Sequence, residues 1–183
     1  MAGISRELIM RALRRLGELA LAEGLLLEIC LYGGTAMMLA YDNRETTQDV
    51  DATINPKEAG LRLAKGVAQE LNLEEDWLND EVWRFFAPVG ARRLLPIDIP
   101  GLKLYVATAN YLLAMKALAC REPGPSRRGD LHDLKFLIRK MEIKSLEDIQ
   151  RRIDQFFPDD IPTEKAQKHI RKIIEEVAHE PKT

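Results

Sequence analysis

Asp49 and Asp51 flank Val50 in DVDATI, a hexapeptide whose alternation of polar and apolar residues is that of a β-strand. Side chains in a strand alternate with period two, so both carboxylates project from one face and Val50 from the other. Two such charges about 4 Å apart repel by about 4 kcal/mol at an effective dielectric of about 20, a cost that a shared proton or a divalent cation relieves. Hard oxygen donors of this kind suit Mg²⁺ or Mn²⁺, which bridge one or two carboxylates to substrate phosphates. A solvated strand face bearing two acids is the competing interpretation, and a bare D-x-D does not choose between them.

Upstream, Gly33 and Gly34 stand between the apolar run LLLEICLY and the helix-forming stretch TAMMLAY. A glycine turn leading into a helix offers backbone N–H groups and the positive end of the helix dipole to a phosphate, and Thr35 adds a hydroxyl. Alone, two glycines between strand and helix are more often just a tight turn. Their order, a phosphate-binding turn followed by a metal-binding strand, is the informative feature. Arg44, in the loop before the D-x-D, is a further phosphate candidate or a solvated side chain.

The stretch LYGGTAMMLAYDNRETTQDVDATI resembles the signature of the nucleotidyltransferase superfamily, whose fold is that of DNA polymerase β. More closely, it is similar to a bacterial nucleotidyltransferase group carrying GGxAMxLAYD and T-x-DVDA segments. The likeness continues through DWLND, GLKLYVATANYLLAMKALACR and an R-x-D-x-x-D stretch, covering most of residues 30–140. The resemblance implies a short mixed sheet flanked by helices that binds Mg²⁺ and a nucleoside triphosphate and transfers a nucleoside monophosphate to an acceptor hydroxyl. It puts Asp49 and Asp51 at the metal and Gly33, Gly34 and Thr35 at the triphosphate. It also implies a third carboxylate on a later strand, for which Ile97-Asp98-Ile99 has the right hydrophobic-acid-hydrophobic form, although Pro96 and Pro100 bracket it.

Lys116 is the only charged residue between Ala109 and Cys120, so it must snorkel, pair or line a cleft. In similar toxin-type enzymes of the AbiEii abortive-infection class, a lysine on this helix and an aspartate soon after it are functional. The resemblance therefore implies catalytic roles for Lys116, which would contact triphosphate, and for Asp130. Asp130 and Asp133 lie one helical turn apart, and either could instead cap the helix they begin. Arg127 and Arg128 are a candidate anion contact or a solvated pair. His132, His169 and His179 have no metal-ligand spacing, and Trp77, Trp83, Phe85 and Phe86 read as packing residues.

These residues need elements to position them. Leu8, Ile9, Ala12, Leu13, Leu16, Leu19 and Ala20 predict an amphipathic helix over 5–23, capped by Ser5 and stopped at Gly24. The glycine turn leads from a strand into a helix, DNRETTQ is a loop, DVDATI a strand and 57–71 a helix; the Trp77–Asp80 region reads as a turn. VWRFFAPV, RRLLPIDIP and LKLYVAT read as three strands, with helices near 109–121, 130–141, 145–156 and 163–179. The expected fold is α+β, with an α/β core over 1–108 and a helical part over 109–183 packed on it.

The chain has 183 residues, with 27 Lys and Arg against 29 Asp and Glu, a net charge of −2. That balance excludes a surface-wide field for nucleic acid, so an RNA partner must be gripped locally. Cys30 and Cys120 sit in apolar runs, which suits buried free thiols of a reducing compartment better than a disulfide framework or a metal site, with a Cys30–Cys120 bridge as the alternative. With no apolar stretch of membrane length and no signal segment, the expected location is the cytoplasm, without a membrane partner. The acceptor of an AbiEii-like toxin would be RNA, such as a tRNA end, or a protein hydroxyl, with an antitoxin-like protein as partner. The alternatives are a catalytically silent nucleotidyltransferase-fold module that binds nucleotide or a partner, and a helical interaction protein whose acids are surface residues.

Overall fold

Apolar residues recur at helical spacing, then in short runs and alternations, and the backbone follows those changes into a mixed α+β architecture. The computed structural model describes residues 3–82, 87, 88, 90–120 and 128–180, with side chains for all of these except 128–130. The chain divides into two compact units, Met1–Ala107 and Thr108–Thr183. The first opens with β1 (Ile4–Ser5) and α1 (Arg6–Ala22), and Ser5 caps the helix by accepting a hydrogen bond from the Leu8 amide. β2 (Leu27–Leu31), α2 (Gly33–Tyr41), β3 (Thr46–Thr47), β4 (Val50–Asn55) and α3 (Lys57–Leu71) follow. β5 (Leu78–Asn79), β6 (Arg92–Leu94) and β7 (Leu102–Ala107) complete the unit.

Five strands form a mixed sheet in the order β5-β4-β2-β7-β6. β4 runs antiparallel to β2, with Leu31 opposite Ala52, and β7 runs parallel to β2, with Leu27 opposite Leu102. Alternation then sorts the side chains: Leu27, Ile29, Leu31, Val50, Ala52, Leu104 and Val106 share one buried face. That face meets α1, through Ile9, Leu13 and Leu16, and α3, through Leu63 and Val67. Each large side chain withdrawn from water contributes about 1.5–3 kcal/mol, which makes this layer the unit's core. The opposite face carries Cys30, Asp51, Thr53, Asn79 and Tyr105.

The structure departs from the sequence expectation at its shortest elements. The DNRETTQ loop contains β3, which pairs with β1, and the Trp77–Asp80 turn contains β5, which pairs with β4. Two-residue strands have no periodicity to read; their partners define them. RRLLPIDIP is a strand only over Arg92–Leu94, because Pro96 and Pro100 lack the N–H groups that would extend the ladder. Of VWRFFAPV, residues 83–86 and 89 lie outside the described residues, as do the side chains of Trp83, Phe85 and Phe86.

The second unit contains α4 (Ala109–Leu118), α5 (Arg128–Lys140), α6 (Leu146–Asp154) and α7 (Glu164–Ala178). Ser145 and Asp148 form a reciprocal capping box on α6, and Thr163 caps α7 through the Ala166 amide. Tyr111 packs on Phe156 and Phe157, with ring centroids 5.0 and 5.4 Å away, above buried Ile149, Ile153 and Ile170. Among the described residues no helix is long and apolar enough to cross a membrane. Cys30 and Cys120 are both buried, and burial raises the Cys30 pKa to about 11.

The unit's core also contains an ion pair. Lys116 Nζ lies 2.8 Å from Asp133 Oδ2, with side-chain exposures of 9% and 0%. Removing one partner of such a pair leaves the other charge buried without its counter-ion, at a cost of about 3–5 kcal/mol. We therefore expect Lys116→Met and Asp133→Leu each to destabilise the protein, and the double variant to be more stable than the sum of the single losses. Urea denaturation of the four proteins measures this; additive losses would show the two side chains to be uncoupled.

Candidate functional site

β4 joins the sheet beside the end of β2 that runs into α2, and this register brings the D-x-D segment to the N-terminus of α2. The Tyr32 amide donates to the Asp51 carbonyl at 2.9 Å. Gly33 follows in the left-handed region, at φ +51°, with the Asp51 carboxylate against its Cα; a Cβ there would collide with Oδ2. Only glycine meets both demands without strain. At Gly34 a Cβ would collide with Thr47 Oγ1 and lie 2.9 Å from Arg44 Nη1, so the loop before the acids folds over the glycine turn.

Asp49 precedes β4 by one residue and stands in a bend instead of in the strand. Asn79, opposite Asp51 in the β4–β5 register, donates through Nδ2 to Asp49 Oδ2 at 3.2 Å. Asn79 thus binds one half-buried acid while standing in register with the other. Asn79 lies in DWLND, where the sequence offers no more than a polar residue beside Leu78. The Thr35 hydroxyl, expected at the phosphate, is fully buried and donates to the Asp49 carbonyl at 3.0 Å. This corrects its role: Thr35 positions the acid loop.

Burial, above all, raises the Asp49 carboxyl above the ordinary carboxylate range, and the negative charges of Glu81 and Asp76 add to the shift against the opposing Asn79 hydrogen bond. Glu81 is tied to the same patch by its amide, which donates to Asn79 Oδ1 at 3.1 Å. A proton or a cation relieves this crowding. Two hard carboxylate donors fit Mg²⁺, which takes its remaining ligands from water and substrate phosphate. Among the described residues no group of three or more His, Cys, Asp or Glu is arranged to hold a metal ion.

Asp98 does not join the patch. It is exposed in the connection between β6 and β7, four residues before β7 begins. Because β7 runs parallel to β2, Asp98 lies at the end where β2 starts, and Asp51 at the end where β2 finishes. The length of β2, about 13 Å at roughly 3.3 Å per residue, separates the two ends. The expectation of a third metal ligand here is corrected, for the same reason that RRLLPIDIP is not a full strand.

Lys116 and Asp130 belong to the second unit. Lys116 is accounted for as half of the buried pair with Asp133, a partner the sequence reading placed beside Asp130 without linking it to the lysine. Asp130 is in the first turn of α5, and its side chain, with that of Arg128, is outside the described set, as is Arg127. Trp77 is a core residue, its indole N–H donating to the Ala64 carbonyl at 2.9 Å.

Comparisons of the chain with family models, with curated proteins and with solved structures gave no match. The site's chemistry therefore rests on its own geometry.

Two outcomes follow from that geometry. Gly33→Ala should destabilise the first unit by about 1–2 kcal/mol through its left-handed backbone and should push the Asp51 carboxylate aside, lowering divalent-cation affinity further than stability. Thermal melts with and without Mg²⁺ separate the two effects. Asp49→Asn removes a carboxyl that holds its proton to higher pH when folded than when unfolded. The cost of ionising Asp49 is absent in acid, grows as pH rises through its unfolded and then its folded pKa, and is complete above both. The variant should thus melt higher than wild type at neutral pH without metal, and the gain should fade below the ordinary carboxylate range.

Proposed function

We propose that the unit Met1–Ala107 is the core of a nucleotidyltransferase that uses Mg²⁺ or Mn²⁺ and a nucleoside triphosphate. The observation that carries this reading is the contact of the Asp51 carboxylate with Gly33, which unites a metal-type acid pair with a phosphate-type helix N-terminus. Asp49 and Asp51 would hold the ion, which when bound supplies charge neutralisation and alignment for phosphoryl transfer. The first turn of α2, where Gly33 and Gly34 carry no side chains, would present backbone N–H groups to phosphate, and the Arg44 guanidinium beside Gly34 would add positive charge. Asn79 and Thr35 fix the two ends of Asp49. In the transfer an acceptor hydroxyl oxygen bonds to the α-phosphorus, the bond to the β-phosphate bridge breaks, pyrophosphate leaves and the hydroxyl proton passes to solvent.

The acceptor class comes from the sequence resemblance alone: an RNA hydroxyl, such as a tRNA end, or a protein hydroxyl, within a toxin–antitoxin pair. The position of Asp98 favours a second reading, a nucleotidyltransferase-fold module that binds triphosphate without turning it over.

Incubating the protein with each α-labelled nucleoside triphosphate, Mg²⁺, total RNA and total protein tests both. We expect label in one acceptor class from one or two nucleotides, and a loss of at least about 10²-fold in Asp49→Ala and in Asp51→Ala. Calorimetric binding without transfer would select the silent module. Transfer that survives both substitutions would overturn the acid assignment.

A further inference from the structure

The second unit contains a cavity that the nucleotidyltransferase reading does not use. It has a volume of about 310 Å³ and lies between α5 and α7, lined by Leu131, His132 and Lys135 from one helix and His169, Lys172, Ile173 and Glu176 from the other. His169, Lys172 and Glu176 recur at helical spacing, so α7 presents them along one stripe facing the cavity. We propose that this cavity is a binding site for a small phosphorylated molecule, its phosphate on Lys172 and His169 and its carbon body on Leu131 and Ile173.

The donor set argues for the anion. The His169 Nδ1 atom is buried and has no hydrogen-bond partner among the described residues. A buried N–H without an acceptor is costlier than a bare ring nitrogen, so the neutral ring keeps its proton on Nε2. With Nδ1 closed off, Nε2 is the nitrogen that can meet a molecule in the cavity, and it meets it as a donor. Lys135 Nζ is held at 3.0 Å by both Glu176 and Glu180, which fix it as a charged post on the wall and raise its pKa. Lys172 is exposed at the rim. One lysine neutralised by its glutamates, a second at the mouth and an imidazole N–H favour a phosphate group over a cation.

The size and lining argue for a small organic ligand. A cavity of this volume is at the lower end of small-molecule sites, which combine apolar walls with a few convergent polar groups. Ile173 is buried and Leu131 half-buried, so both give apolar surface to a ligand's carbon frame. The same phosphate chemistry occurs in the backbone of RNA, and a polymer strand is the other source of the group.

Titrating the full chain with phenyl phosphate while following the imidazole signals of His132, His169 and His179 by NMR tests the assignment. His179, at the C-terminus of α7 and outside the lining, is the internal reference, with Nδ1 held 2.7 Å from the Glu175 carbonyl. We expect saturable shifts of His132 and His169, a still His179, and binding weakened by about tenfold in Lys172→Glu, an exposed position where the fold is retained. A parallel titration with a short single-stranded RNA should require a higher concentration of phosphate groups for the same shifts. Absent or unsaturable shifts, equal shifts in Lys172→Glu, or preferential response to RNA would each overturn the proposal. None of these outcomes depends on transfer activity at Asp49 and Asp51, so the two readings stand or fall separately.

Discussion

The contact between the Asp51 carboxylate and the Cα of Gly33 constrains the rest of the first unit. For it to form, β4 must pair with β2 in one register, since a slip of one residue would turn Asp51 to the core face and Val50 to the patch. The chain must also leave β2 through a left-handed residue without a Cβ, which directs the axis of α2 at the acids. Buried Val50, Ala52 and Ile54 specify the register through the core they fill, so hydrophobic burial and acid placement are two faces of one strand.

The patch is held together by short polar ties from separate segments. Asn79 reaches Asp49 from β5, Thr35 reaches its carbonyl from α2, and Trp77 receives the Val50 amide through its carbonyl at 2.7 Å. These ties fix a half-buried acid whose ionisation the fold resists. A site assembled for its ligand commonly holds groups that are unfavourable without it. The second unit solves a comparable problem by internal pairing, since Lys116 and Asp133 neutralise each other inside a helical core.

Long periodic elements were legible from the residues alone. The stripe of Ile9, Leu13 and Leu16 gives α1, Ser5 and Ser145 mark helix starts, and alternation in DVDATI gives β4 to within a residue. The acids and the glycine turn were legible as a pair because both lie in one stretch of chain. What stayed hidden depends on chain segments distant in sequence: β3 and β5 exist through their partners, Asn79 acts through a neighbouring strand, and Asp98 is excluded by the direction of β7. For Thr35 the sequence shows a hydroxyl but not its burial against the Asp49 carbonyl.

The pairing of β1 with β3 has a mechanical consequence. Thr46 and Thr47 are hydrogen-bonded to Ile4 and Ser5, and Ser5 is at once the end of that strand and the cap of α1. Helix α1, seated in the hydrophobic layer through Ile9, Leu13 and Leu16, therefore begins on the segment that folds over Gly34. A substitution at Leu13 or Leu16 that shifts α1 should therefore disturb Thr46 and Thr47 as well, so tolerance to change in the interior is limited by the placement of the loop as well as by the free energy of folding.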